Sequence, residues 1–180
     1  MGPLAVTDEV SLSLGIHIYE SDPTPNKPAY QKRMYELQKD LVENYGRKGK
    51  KWGKGFYDYP VGEKKRLWAG LGEKFDSKVD ALDKETIANR MLHRQALESF
   101  RCLEEGVLTS TMDGDLGSVL GWGFPIYTGG ALSYIDFVGI KKFVADCDGF
   151  EQRFGPRWKV PDSLRALAAA GKSVHDFGKN

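Results

Sequence analysis

An uncharged, glycine-rich stretch constrains this chain more than any other part of its sequence. Between Leu116 and Ile135 there is no charged side chain, yet five glycines and one proline interrupt the run. A membrane-crossing helix needs about 20 consecutive apolar residues without such breaks, so the stretch does not predict a membrane span. The glycines indicate positive φ or close backbone approach, with aromatic side chains between them. We expect a tight, buried corner between two helices at residues 121–139.

A degenerate copy of this corner occurs at the start of the chain. Residues 130–140 align without a gap on residues 2–12, which pairs Asp136 with Asp8 and Gly130 with Gly2. A self-match at a fixed offset indicates a duplicated helical unit. We expect each aspartate to accept hydrogen bonds at a helix terminus and so to hold its corner. The residues assigned to this structural corner are Asp8, Gly123, Pro125, Gly129, Gly130 and Asp136.

Composition narrows the class of protein. The 180 residues suffice for one domain or two small helical ones, and a net charge of +1 gives no global attraction to nucleic acid or an anionic membrane. Cys102 and Cys147 lack CxxC spacing, so reduced thiols are expected, although the pair also allows one disulfide. No signal peptide is visible in the first residues. We expect a cytoplasmic protein without a nucleic-acid partner; a peroxisomal or mitochondrial parent stays open.

Hydrophobic periodicity predicts an all-α chain. Helices are expected over residues 29–44 and 83–105, ended by Gly46 and Gly106. Residues 4–20 fit a strand or a helix equally by spacing, and the match to the second copy favours helix. The predicted organisation is the later part of a first helical copy at residues 1–59, a linker at 60–84, a second copy at 85–175 and a frayed tail at 176–180.

A basic loop at residues 47–54 allows two interpretations. Its five cationic residues are followed by aromatic ones, and Trp52 is available for stacking. One interpretation is a site for an anion, such as a nucleotide phosphate or a nucleic acid backbone. The other is a solvated loop that leads into an aromatic segment packed on the core. The first would make the chain a non-catalytic binding module.

Known catalytic motifs are absent from the sequence. There is no GxGxxG between a strand and a helix, no GxxxxGK[ST] and no GxSxG. His17, His93 and His175 have no metal-ligand spacing to one another or to a cysteine. Pattern analysis by itself therefore predicts no catalytic residue, no metal site and no cofactor in this chain.

Several motifs in register nevertheless resemble a known family. They occur as Ala96-Leu97-Glu98, Leu103-Glu104-Glu105-Gly106-Val107, Met112-Asp113-Gly114-Asp115, Gly123-Phe124-Pro125, Gly129-Gly130 and Tyr134-Ile135-Asp136. Their order and spacing resemble the C-terminal helical domain of 3-hydroxyacyl-CoA dehydrogenases, in particular its second copy in multifunctional fatty-acid oxidation enzymes. Met1-Gly2-Pro3-Leu4 and the run from Lys51 to Tyr59 resemble motifs of the first copy. The resemblance covers most of the chain and explains the repeat.

The resemblance implies an NAD-dependent oxidoreductase as the parent protein. In the family the catalytic histidine, its glutamate partner and the NAD-binding loop lie in a Rossmann domain that has no counterpart here. The fragment alone is therefore expected to be inactive and to bind no cofactor, and its expected partners are acyl-CoA and the N-terminal domains of the same polypeptide. Met1, Pro3 and Leu4 are expected to line the acyl pocket, with core packing as the alternative. A structural module that forms a homodimer is a further alternative.

Overall fold

The computed structural model describes residues 2–74 and 82–178. The chain divides into two compact units, residues 1–81 and 82–180. Helices form nearly all of the regular structure, so the all-α prediction is confirmed. None of the helices in the described ranges is long and apolar enough to cross a bilayer.

In its described residues, 2–74, the first unit contains four helices and a small hairpin between the third and the fourth. Its elements are α1 (Pro3–Val10), α2 (Leu12–Ser21), α3 (Ala29–Tyr45), a 3-10 turn (Lys50–Trp52), β1 (Tyr57–Asp58), β2 (Arg66–Leu67) and α4 (Leu71–Lys74). The strands pair antiparallel, with Tyr57 opposite Leu67. Leu12, Leu41 and Phe56 are fully buried together, and each contributes roughly 1.5–3 kcal/mol of hydrophobic stabilisation. Strand β2 and helix α4 both lie within residues 60–84, so the segment expected to be a linker contains regular structure.

The second unit is larger than the first, and its helices, which are 6 to 21 residues long, surround one core. Its elements are α5 (Lys84–Glu104), α6 (Thr111–Trp122), a 3-10 turn (Ile126–Thr128), α7 (Ser133–Val138), α8 (Ile140–Phe154), a 3-10 turn (Pro156–Trp158), α9 (Asp162–Ala170) and a 3-10 turn (Val174–Asp176). The Asp83 carboxylate accepts from the Thr86 amide at 2.7 Å and so caps α5. Ala96, Leu97 and Phe100 place the apolar face of α5 in the core, against α7 and α8.

The repeat seen in the sequence also appears in the backbone. The break between α1 and α2 lies at Ser11 (φ 88°, ψ 134°), and the break between α7 and α8 lies at Gly139 (φ 91°, ψ 116°). These two residues are paired by the same offset that pairs Asp8 with Asp136. α3 and α9 both end at a left-handed glycine, Gly46 (φ 61°) and Gly171 (φ 65°). Helices α1, α2 and α3 therefore correspond to α7, α8 and α9.

Candidate functional site: aspartate anchors and the α2–α3 groove

Asp8 ties the last turn of α1 to the segment that enters the hairpin. Its carboxylate is 1% exposed and accepts from the amides of Phe56 (2.7 Å) and Tyr57 (2.9 Å) and from the Tyr59 hydroxyl (2.9 Å). Burial and this neighbouring carboxylate raise the pKa of Tyr59 above its ordinary value. A Cβ on Gly55 would lie 2.1 Å from Asp8 Oδ1, so the close approach needs glycine there. Because three donors satisfy it, the buried charge stabilises this connection.

Asp136 makes the corresponding connection in the second unit. It accepts from the Val174 amide at 3.0 Å and from the Ser173 hydroxyl at 3.0 Å. Val174 is fully buried, as Phe56 is in the first unit. Both aspartates thus bind donors far along the chain instead of the N-terminus of their own helix. Each carboxylate joins the helix that carries it, α1 or α7, to a segment farther along the same unit.

The corner itself depends on Asp115, which the sequence analysis did not single out. This carboxylate is 6% exposed; Oδ1 accepts from the amides of Leu132 (2.8 Å) and Ser133 (2.9 Å), and Oδ2 accepts from the Ser133 hydroxyl (2.6 Å). It therefore joins α6 to the start of α7. A sequence signal existed, because Asp115 is the last acidic residue before the uncharged run. Only the fold shows that its partners lie 17 and 18 residues later.

The glycines of the corner adopt conformations that other residues rarely adopt. Gly123 (φ 73°) ends α6 and Gly129 (φ 86°) ends the 3-10 turn, both in the left-handed region, and Pro125 precedes that turn. At Gly130 (φ 131°) a Cβ would lie 2.5 Å from the Cα of Asp115. This glycine allows the backbones on either side of the corner to approach. We therefore attribute a structural role to these residues.

Asp115, Ser133 and His175 lie together without the geometry of a hydrolase triad. His175 Nε2 lies 2.9 Å from Ser133 Oγ, while His175 Nδ1 lies 2.9 Å from Thr111 Oγ1. The Ser133 hydroxyl donates a hydrogen bond to Asp115. Asp115 lies 3.6 Å from His175 Nε2, which is the same nitrogen that contacts Ser133. In a triad the carboxylate instead orients the histidine through Nδ1. The cluster holds the corner and does not activate the serine.

His93 is packed inside the second unit. It is 1% exposed and stacks on Phe143 at 4.7 Å between ring centroids. Nε2 lies 3.2 Å from Asp146 Oδ2, and Nδ1 lies 3.0 Å from the Tyr134 hydroxyl. Burial lowers the pKa of His93, although Asp146 and the Asn89 carbonyl oppose this effect. A substrate has no access to this imidazole, so His93 is a packed core residue of the second unit.

Most of the basic loop at 47–54 contacts the first unit itself. Arg47 is 5% exposed; its guanidinium donates to the Gly55 carbonyl (2.6 Å) and pairs with Asp58. Lys50 pairs with Glu9, and Lys54 donates to the Tyr45 carbonyl at the end of α3. Three of the five cations therefore have partners within the first unit, and one of these three, Arg47, is buried and not solvated as the second interpretation expected. Lys48 and Lys51 are the cations of the loop left for the anion-binding alternative.

An open groove lies between α2 and α3 in the first unit. Its volume is about 470 Å³. The lining residues are Gly15, Ile18, Tyr19, Asp22, Tyr30, Gln31, Met34, Tyr35 and Gln38. A Cβ on Gly15 would lie 2.4 Å from Gln38 Oε1, so glycine lets α2 approach α3 at the base of the groove. Ile18 is 58% exposed and Met34 is 43% exposed, which makes the groove an apolar surface.

The predicted acyl-pocket residues lie at the start of α1. Pro3 is exposed, whereas Leu4 is half-buried against the core of the first unit. Met1 lies outside the described residues. The residues in the described ranges include no group of three or more side chains that could hold a metal ion.

Comparison with known proteins connects this architecture to one group of enzymes. No protein-family model matches the chain. It is 35% identical to the fatty acid oxidation complex subunit alpha of Shewanella amazonensis, over 97% of the chain and 25% of that protein. It is 32% identical to the corresponding subunit of Vibrio campbellii, over 98% of the chain and 25% of that protein.

This chain is homologous to part of those alpha subunits. The resemblance to multifunctional fatty-acid oxidation enzymes is thereby confirmed. The chain spans about a quarter of the length of the relatives it matches. Because the match covers 97% of the chain, both aspartate anchors and the α2–α3 groove lie in the homologous segment.

Proposed function

We propose that this chain is the C-terminal helical part of an NAD-dependent 3-hydroxyacyl-CoA dehydrogenase of fatty-acid β-oxidation. The observation that carries the proposal is the match to fatty acid oxidation alpha subunits over 97% of the chain. The parent protein would oxidise a 3-hydroxyacyl-CoA to the 3-ketoacyl-CoA, with NAD bound by another domain. Its expected location is the cytoplasm.

The role proposed for the chain itself is to support the acyl-CoA site without supplying the reacting groups. The hydrogen bonds of His93 and His175 lie inside the second unit, and Asp8, Asp115 and Asp136 bind backbone amides. Groups committed to such contacts hold structure in place and are not poised for proton transfer. This supports the expectation that the chain alone is inactive.

The proposed contribution to the substrate site comes from the start of α1. Met1, Pro3 and Leu4 would contact the acyl end of the substrate, with Leu4 also packed on the core. In a chimera that joins this chain to the rest of the Shewanella amazonensis alpha subunit, Leu4→Ala should then raise KM for the acyl-CoA, whereas an effect on stability alone would assign Leu4 to the core. Val61→Ala, at a fully exposed side chain of the same unit, serves as the matched control.

A chimera tests the proposal as a whole. The matched quarter of the Shewanella amazonensis alpha subunit is replaced by this chain, and acetoacetyl-CoA-dependent NADH consumption is compared with that of a subunit lacking the quarter. We expect the truncated subunit and the isolated chain to be inactive and the chimera to turn over. Activity of the isolated chain, or an inactive chimera that is folded by circular dichroism, would contradict the proposal.

A dimerisation module is the second candidate, because α6 presents an exposed apolar stripe. Met112, Leu116 and Leu120 follow one another at intervals of four residues and are 67%, 54% and 81% exposed. Such stripes occur at subunit interfaces. A mass by light scattering that rises with concentration, and that Leu116→Glu returns to the monomer value, would favour this candidate.

A further inference from the structure

We propose that Arg90, Arg153 and Arg157, which we call the arginine cluster, form a binding site for a phosphate group. The ligand would be inorganic phosphate or the phosphate monoester of a small molecule. The three side chains come from α5, from the last turn of α8 and from the 3-10 turn after α8. All three belong to the second unit, whereas the acyl contacts proposed above belong to α1 of the first unit.

Arg90 is a half-buried cation without a counter-charge. Its Nε atom is fully buried and has no hydrogen-bond partner, and no ion pair of Arg90 occurs in the part of the chain that the structure describes. The guanidinium lies on the Phe154 ring, with Cζ 3.7 Å from the ring centroid. This cation–π contact offsets part of the cost of removing the charge from water. An anion at the terminal Nη atoms would supply the missing opposite charge.

The other two arginines bring more positive charge to the same place. Arg153 Cζ lies 5.2 Å from the centroid of the Phe154 ring, which also carries Arg90. Burial lowers the pKa of Arg90, and the neighbouring charges of Arg157 and Arg153 lower it further. Arg153 and Arg157 are exposed and also make contacts of their own, so they form a rim around the recessed Arg90. A multiply charged anion among them would replace mutual repulsion by attraction.

The backbone of Arg157 is held firmly beside α5. Its carbonyl accepts from Arg94 Nη1 at 2.6 Å and from Arg101 Nη2 at 3.2 Å, and both of these side chains belong to α5. The next residue, Trp158, is 2% exposed and packs on Phe150 of α8 with ring centroids 4.8 Å apart. Because the turn is already fixed between α5 and α8, a ligand would not have to order it.

A second buried donor without a partner lies in the same region. Trp158 Nε1, like Arg90 Nε, has no acceptor among the described residues. The Phe150 ring packs on Trp158 and also on Phe154, at 6.0 Å between centroids, so both donors belong to one aromatic cluster. Buried donors are nearly always paired in proteins, and an exception calls for a partner such as water or an ion.

A phosphate group matches this arrangement better than a carboxylate does. A guanidinium presents parallel N–H donors that hold two oxygens of one anion. A phosphate monoester carries about −1.5 to −2 charges at pH 7 and three acceptor oxygens, so it can serve three guanidinium groups at once. A carboxylate has a single charge and two oxygens, and it would leave part of the arginine cluster uncompensated.

The first experiment measures phosphate binding to the full chain by NMR at constant ionic strength. Inorganic phosphate and adenosine monophosphate are titrated separately, and the indole N–H signal of Trp158 reports binding. We expect a saturable shift, and Arg90→Met should weaken the affinity by about tenfold or more because charge-assisted hydrogen bonds are lost. Tighter binding of adenosine monophosphate would identify an ester as the ligand, and equal binding would identify the phosphate group alone.

The matched control is Lys141→Met, which removes one exposed positive charge from the first turn of α8. It should leave the affinity unchanged, because Lys141 is not part of the arginine cluster. Phosphate should also raise the thermal midpoint of the native chain and not that of Arg90→Met. A structural role of Arg90 alone would lower the stability of Arg90→Met without changing phosphate affinity, and this outcome would overturn the proposal.

A second variant keeps the test decisive if Arg90→Met does not fold. Arg157→Gln changes an exposed side chain, and it should weaken phosphate binding by about threefold or more because one charge of the rim is lost. The proposal is wrong if phosphate causes no saturable shift, if acetate reproduces that shift at the same concentration, or if Arg157→Gln binds phosphate as the native chain does. An equal loss of affinity in Lys141→Met would also contradict it.

Discussion

Ser11 has a positive φ, which residues with a Cβ rarely adopt. It has φ 88° at the α1–α2 break, where the second unit uses Gly139 at φ 91°. A residue with a Cβ at such a φ costs on the order of 1–3 kcal/mol. The Ser11 hydroxyl accepts from the Ser13 amide at 3.1 Å and offsets part of this cost.

We expect Ser11→Gly to raise the free energy of unfolding of the first unit by about 1 kcal/mol, because relief of strain exceeds the lost cap. Ser11→Ala is the control, since it keeps the strain and removes the hydroxyl, and it should be destabilising. Urea unfolding followed by hydrogen exchange of α2 amides measures both. A Ser11→Gly variant less stable than Ser11→Ala would show that strain is not what matters at this position.

The two cysteines differ in environment and should differ in reactivity. Cys147 is fully buried, and burial raises its pKa to about 12, whereas Cys102 is partly exposed. The reactive species is the thiolate, so Cys147 should be inert in the folded protein. A thiol reagent at pH 8 should label Cys102 first and Cys147 only on unfolding, as read by peptide mass spectrometry. Labelling of Cys147 at the rate of Cys102 would contradict this assignment.

At the scale of elements, α5 organises the second unit through a buried face that is mostly apolar and includes His93. Burial lowers the pKa of His93 in the folded protein below its unfolded value near 6.5. The unfolded state therefore takes up a proton first as the pH falls. Stability is complete above pH 6.5 and is lost progressively from there down to the folded pKa.

We expect the stability of the second unit to decrease between pH 7 and pH 5 and this decrease to become smaller in His93→Phe. Hydrogen exchange of α8 amides at a series of pH values measures the effect. His17→Gln, at an exposed histidine of α2, should keep the pH dependence of the native protein. An unchanged profile in His93→Phe would show that another group is responsible.

At the scale of the whole molecule, the chain consists of two units, and in each an aspartate holds a distant segment: the buried Asp8 in the first unit and the half-buried Asp136 in the second. Asp8 holds the amides of Phe56 and Tyr57, and Asp136 holds the amide of Val174. Each anchor joins the helix that precedes a break, α1 or α7, to a segment farther along the same unit. The two carboxylates can therefore be removed one at a time and their effects compared.

Asp8→Asn should accelerate hydrogen exchange at Phe56 and Tyr57 by at least about tenfold, or roughly 1.4 kcal/mol, and leave Val174 unchanged. Asp136→Asn should have the reciprocal effect. NMR exchange of these amides measures both variants in the intact chain. Equal acceleration in both units by either variant would contradict two separately anchored units.

Much of the local structure could be predicted from the sequence. The helix at 29–44 is observed at Ala29–Tyr45, the helix at 83–105 is observed at Lys84–Glu104, and both end near the predicted glycines. Helix periodicity and C-terminal glycines act over a few residues, so the chain carries these signals directly. The repeat was also visible in the sequence, because the corresponding helices need the same backbone break and the same aspartate anchor.

The sequence by itself therefore determined the helical class, the helix ends, the duplication and the relationship to fatty acid oxidation subunits. Only the tertiary structure decided which groups meet. Asp8 reaches Phe56, and Asp115 reaches Leu132, across separations at which the spacing of residues carries no information about partners. The α2–α3 groove likewise became visible only in three dimensions, since an exposed Ile18 and a buried one have the same pattern in the sequence. Burial depends on which element covers a face, and that depends on the packing of the whole unit.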